Sequence, residues 1–143
     1  MMPSAKTPGY SGKPIWQKLG LAPASRVLLR GAPADYARMV GLRETELTRV
    51  SPRAAFDLAH VFATSAKILK AELDALSKRL PAQGVIWVSW PKKAAKVQTD
   101  ITEDTVREIA LPMGLVDVKV CAVDEIWSGL KLVWRREHRA GKT

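Results

Sequence analysis

Apolar residues along this chain fall into two alternating rhythms: short continuous runs, and spacings of three and four. The run Val85-Ile86-Trp87-Val88 is built from the β-branched and aromatic residues that favour strands. It breaks at Trp90-Pro91 into a loop carrying Lys92, Lys93 and Lys96. A helix restarts at Thr102-Glu103-Asp104, a hydroxyl cap followed by two acids that suit the positive end of a helix dipole. A strand, a polar loop and a capped helix make the unit on which α/β folds place their ligand sites.

The remaining pattern repeats that alternation. Pro14 to Leu19 predicts a short helix stopped by Gly20, with Trp16 as a packing anchor. Arg26-Val27-Leu28-Leu29-Arg30, apolar between charges, predicts a central strand. Gly31-Ala32-Pro33 turns the chain, and residues 35–40 form one or two helical turns. Residues 44–50 predict a short edge strand, and 54–63 another central strand. A helix capped by Thr64 or Ser65 follows to about residue 80, with Ile68, Leu69, Leu73, Leu76 and Leu80 at helical spacing. The helix from Glu103 ends at Pro112 and Gly114. Residues 115–123 and 130–134 read as strands on a short link, an antiparallel hairpin. The order β-α-β-β-α-β-α-β-β implies an α/β, three-layer sandwich: a mostly parallel sheet with an antiparallel C-terminal strand.

Composition adds boundaries to this outline. The 143 residues are one domain's worth, and 47% hydrophobic content supplies an ordinary core. We expect a flexible arm over 1–13, a single domain over 14–136 and a basic tail over 137–143. No run reaches the length of a membrane span, and the N-terminus has no signal-peptide core, so a cytoplasmic protein is expected. Cys121 is the sole cysteine, which excludes an intrachain disulfide. The net charge of +9 is carried by the ends: residues 1–30 have five cations and no acid, residues 131–143 a net +4, and the stretch between is neutral. Basic ends of this kind are solvated tails or weak binders of RNA and other polyanions.

No stretch supplies a catalytic set. His60, His138 and Cys121 have no spacing that would join them around a metal. His60, inside an apolar strand, reads as a hydrogen-bonded core or edge residue, and Cys121, amid valines, as an inert thiol. Ser65 and Ser89 lie outside any nucleophile elbow, and Ser65 suits a helix cap. What remains is a constellation at the carboxyl ends of the strands: Ser65, Ser89, Trp90, Lys92, Lys93, Asp124, Glu125 and Trp127. There the lysines would receive an anionic group, a tryptophan would stack on a ring, and the acids would accept from hydroxyls. Alternatively, Trp90 and Trp127 plug the crevice while the lysines pair with Asp100, Asp124 or Glu125.

Two resemblances bear on this outline. Arg26-Val27-Leu28-Leu29-Arg30, Ala82-Gln83-Gly84-Val85-Ile86-Trp87-Val88 and the closing hairpin resemble a shortened class I S-adenosylmethionine-dependent methyltransferase, a Rossmann-like fold. Its counterpart of Gly31-Ala32-Pro33-Ala34-Asp35 has several glycines, and an acid where Arg30 stands, so the usual motif for that cofactor is absent. Gly9-Tyr10-Ser11-Gly12, Lys18-Leu19-Gly20, Arg26-Val27-Leu28-Leu29, Trp87-Val88-Ser89-Trp90-Pro91-Lys92-Lys93, Thr99-Asp100-Ile101-Thr102-Glu103-Asp104 and the stretch from Val118 to Lys131 are similar to an uncharacterised bacterial family, domain of unknown function 3052. That likeness implies the fold and no activity. The expectation is a non-catalytic Rossmann-like module that binds a small anionic or nucleotide-like ligand, or a protein partner, at the strand ends. A divergent S-adenosylmethionine-dependent transferase and an RNA-associated protein with basic termini are the alternatives.

Overall fold

The computed structural model describes residues 13–139, and the expected arm lies outside them except for Lys13. Six strands form one sheet in the order β2-β1-β3-β4-β6-β5. They are β1 (Arg26–Arg30), β2 (Thr48–Arg49), β3 (Leu58–Phe62), β4 (Val85–Ser89), β5 (Leu115–Ala122) and β6 (Ser128–Trp134). The first four run parallel, β6 is antiparallel to β4, and β5 is antiparallel to β6. The chain passes from β1 outward to β2, then returns across β1 to β3 and β4. Strand order therefore reverses between β1 and β3.

Alternation along the strands sorts their side chains onto two faces. On one face, Ile86, Val88, Leu130 and Leu132 meet α3 (Ala66–Ser77) through Leu69, Leu73 and Leu76, and α4 (Glu103–Ala110) through Val106 and Ala110. Each buried leucine there contributes about 2 kcal/mol by its removal from water. On the other face, Val27, Leu58, Phe62 and Trp87 meet α1 (Ile15–Leu19) and α2 (Tyr36–Met39) through Ile15, Leu19, Tyr36 and Val40. Trp87 is fully buried and donates its indole N–H to the Leu19 carbonyl at 2.8 Å, tying the sheet to α1. The result is the expected three-layer α/β sandwich.

Local signals account for most boundaries. Gly20 ends α1 at φ +83. Ser65, not Thr64, caps α3, its hydroxyl accepting from Ile68 N at 3.3 Å. Thr102 and Thr105 cap α4 reciprocally, each hydroxyl accepting from the other's backbone N–H. A 3-10 turn over Leu111–Met113 and Gly114 at φ +92 then lead into β5.

Three expectations need adjustment. Residues 54–57 do not join β3, because Ala54 N closes a turn on the Ser51 carbonyl and Asp57 pairs with Arg26. Residues 44–46 form a 3-10 turn held by Glu46 and Arg43, leaving only Thr48–Arg49 to pair with β1. At the C-terminus, Arg136–Arg139 form one further helical turn, α5, inside the stretch expected as domain end and tail.

Candidate functional site

The carboxyl ends of β1, β3 and β4 meet at one edge, and the reversal of strand order falls there. Crevices outside such an edge are where open α/β sheets bind ligands. β1 leaves the sheet through Gly31 at φ +69, so close to β3 that a Cβ on it would lie 2.6 Å from the Phe62 carbonyl oxygen. Only glycine meets both conditions. Arg30, just before it, is held by Glu72 of α3 in a bidentate pair at 2.9 and 3.1 Å.

Behind Gly31 lies a buried polar chain that joins three elements. Tyr36 Oη lies 2.8 Å from His60 Nδ1, and His60 Nε2 lies 2.8 Å from Ser89 Oγ. All three residues have no exposed surface. Burial holds the imidazole neutral by pushing its pKa down to about 3, and raises that of the Tyr36 hydroxyl. A neutral ring has one donor and one acceptor nitrogen, so the chain of hydrogen bonds runs in a single direction. Phe62 stacks on the His60 ring at 4.3 Å, and Trp127 sets an edge against Phe62 at 5.0 Å. Aromatic rings thus fill the α1–α2 side of the strand edge.

The eight residues singled out from the sequence divide into three groups. Ser89 is internal, a partner of His60. Asp124, Glu125 and Trp127 sit in the β5–β6 link, where Asp124 Oδ1 accepts from Ile126 N at 2.9 Å and Trp127 N at 2.7 Å, so this carboxylate shapes its own turn. That link is laced to the β4 exit: the Trp90 carbonyl accepts from Ser128 N and Oγ, and Lys92 N donates to the Ile126 carbonyl. Glu125 is exposed. Ser65, Trp90, Lys92 and Lys93 border open space on the α3–α4 side.

That space has two neighbouring parts that share Thr99. One is a polar cleft of about 470 Å³ lined by Thr64, Ser65, Gln98, Thr99 and Asp100. The other is a groove of about 510 Å³, running from Trp90, Pro91, Lys92 and Lys93 past Val97 and Ile101 to Thr102 and Glu103. Trp90 is 7% exposed and forms part of the floor between groove and core. In the cleft, Asp100 Oδ1 accepts from Ala66 N at 2.8 Å, and Thr99 Oγ1 donates to the Thr64 carbonyl at 2.7 Å. Asp100 therefore caps α3 rather than pairing with a lysine. Among the described residues Lys92 and Lys93 make no ion pair, and Asp124 and Glu125 make none either.

Sequence reasoning missed Thr99 and the Tyr36–His60–Ser89 chain as a unit, since its members are separated by 24 and 29 positions. The run Thr99-Asp100-Ile101-Thr102, hydroxyls beside an acid between strand and helix, is the signal that could have found the cleft. Among the described residues no group of three or more His, Cys, Asp or Glu is placed to hold a metal, and no helix is long and apolar enough to cross a membrane.

No family model and no curated sequence matches the chain. Solved structures do match its architecture. A ribosomal protein L11 methylase from Lactobacillus delbrueckii subsp. bulgaricus aligns with a TM-score of 0.56 and 11% identity, over 84% of this chain and 74% of that one. LepI in complex with SAM aligns at 0.54 and 11%, over 84% of this chain, which spans only 39% of LepI. The B. subtilis tRNA methyltransferase TrmK aligns at 0.53 and 8%, over 85% and 65%. At such identities the likeness shows the fold, a Rossmann-like sandwich of the methyltransferase type. None of these matches extends the likeness to domain of unknown function 3052.

Proposed function

We propose that the chain is a divergent S-adenosylmethionine-dependent transferase, taking its cofactor at the carboxyl ends of β3 and β4. The observation that supports this most is the sheet: its order reverses between β1 and β3, and antiparallel β6 stands between β4 and β5, in a fold shared with SAM-bound LepI. The single glycine of the β1 turn and the Arg30–Glu72 pair depart from a glycine-rich cofactor loop. The cleft offers another set of contacts. Ser65 presents a hydroxyl proton and Asp100 a second carboxylate oxygen beside the Oδ1 that accepts from Ala66 N, a pair suited to a ribose diol, and the volume lies within the range of small-ligand sites. When bound, the cofactor supplies an electrophilic methyl group. Ser65 and Asp100 hold the α3 N-terminus in place beneath it, and Trp90 keeps water from the strand end.

A specific observation favours a second reading, a non-catalytic module for a small anionic or nucleotide-like ligand. Ser89, His60 and Tyr36 are sealed from solvent and satisfied by one another, so no histidine base faces the cleft.

Titration calorimetry of the purified protein decides between them. The transferase reading expects saturable binding of S-adenosylmethionine and its demethylated product, weakened about tenfold or more by Ser65→Ala combined with Asp100→Asn. Binding of ATP or another nucleotide, with none of the methyl donor, would favour the non-catalytic module. Absence of all small-molecule binding would shift the function to a protein partner, to be sought by pull-down.

A further inference from the structure

We infer that the groove beside the cleft is a second ligand site, selective for a small organic anion with an apolar body, and that this anion is the methyl acceptor. The acceptor role rests on the transferase reading above, whereas the binding chemistry rests on the groove alone.

The floor and one wall are apolar, formed by Trp90, Pro91, Val97 and Ile101. Most polar groups of the lining are already engaged. Thr99 Oγ1 donates to the Thr64 carbonyl and accepts from Ile101 N at 3.1 Å. Thr102 Oγ1 is committed to the α4 cap. Glu103 holds Arg107, which also bonds Asp104 and Asp117, and neither of those two acids lines the groove.

The charged donors of the lining, the ammonium groups of Lys92 and Lys93, enter no ion pair among the described residues. Lys92 N is bound to the Ile126 carbonyl at 2.8 Å, and Lys93 opens a 3-10 turn, so the backbone bearing both is fixed. Cations at one end of an apolar trough select a carboxylate, phosphate or sulfonate carried on a hydrophobic body, because only with an anion does attraction between full charges add to the hydrogen bond. Glu103 at the far end reinforces the choice by opposing an anion placed the other way round. The shared residue Thr99 sets the groove against the cleft, the juxtaposition a group transfer between two bound molecules requires: a nucleophilic atom on the body of the anion forms the new bond to the methyl carbon as that carbon's bond to sulfur breaks, the electron pair staying on the sulfur of the departing demethylated product.

The test uses naphthalene-2-sulfonate and its neutral counterpart naphthalene-2-methanol as probes, followed by amide chemical-shift perturbation on the full chain. The sulfonate is expected to bind about tenfold or more tightly than the alcohol, with shifts centred on residues 90–103. Lys92→Gln with Lys93→Gln should bring the two probes to parity. Lys67→Gln with Lys70→Gln, on exposed positions of α3, should leave the preference intact. Equal affinity of the two probes, shifts centred elsewhere, or no binding of the sulfonate would overturn the inference. Calorimetry with S-adenosylmethionine on the same variants separates the two proposals. Cofactor binding without probe binding removes the groove assignment alone, and probe binding without cofactor binding removes the acceptor role and leaves an anion site.

Discussion

His60 Nε2 and Ser89 Oγ lie 2.8 Å apart across the parallel strands β3 and β4, and neither residue has any exposed surface. With Tyr36 Oη on the opposite ring nitrogen, the imidazole has both of its hydrogen bonds inside a core that admits no charge. Removing either partner strands a buried polar atom, which costs about 1–3 kcal/mol.

The first prediction concerns pH. Folding lowers the His60 pKa from its ordinary 6.5 to about 3. Between those values the unfolded chain holds the proton that the folded chain refuses, so the native state loses stability as pH falls from 6.5 toward 3. The slope from this one group reaches at most about 1.4 kcal/mol per pH unit. Urea denaturation at a series of pH values should therefore show a shallower acid limb in His60→Gln than in the parent chain, although the variant is less stable at pH 7.

A second prediction separates conformation from space. Asparagine tolerates a left-handed backbone, so Gly20→Asn, where nothing lies within 4 Å of the new Cβ, should cost less than about 1 kcal/mol. Gly31→Asn meets the Phe62 carbonyl oxygen at 2.6 Å and must push β1 from β3, at about 2–4 kcal/mol. Thermal melts of both variants under one set of conditions check the contrast.

Trp87 supplies the third. Its indole N–H reaches the Leu19 carbonyl from the middle of the sheet, and the residue is wholly buried. Trp87→Phe removes the hydrogen bond and part of the packed volume, so a loss of about 2–3 kcal/mol is expected. Amide exchange should quicken first in residues 15–19.

Thr102 gives a fourth. Its hydroxyl accepts from Thr105 N at 3.2 Å, and valine keeps its shape without the acceptor. Thr102→Val should lower stability by about 1 kcal/mol, read as a shifted midpoint in chemical denaturation with an unchanged slope.

Elements announced by local chemistry were legible. Thr102 before Glu103 and Asp104 marked the start of α4 to the residue, and Gly20 and Gly114 marked the turns at which α1 and the α4 extension stop. The valines of β5 and the short link to β6 gave the hairpin. Apolar content misled at residues 54–57, where Asp57 is drawn to Arg26 instead of the ladder. Strand order was beyond local reading, because no residue of β6 says that it will lie between β4 and β5. The same holds for the site. Lys92, Lys93 and Trp90 were visible as a cluster because they are adjacent in the chain. The bond that takes Ser89 out of contact with solvent was not, because its partner is 29 positions away.

The placement of β6 also dictates an order of assembly. Among the described residues β5 is joined to the sheet only through β6, which follows it in the chain. On the ribosome, β1 to β4 can align as they emerge, while β5 must wait outside with no ladder to join. The two closing strands enter together once Trp134 has cleared the exit tunnel, so a stall before Ser128 would leave the edge of β4 open to a neighbouring nascent chain.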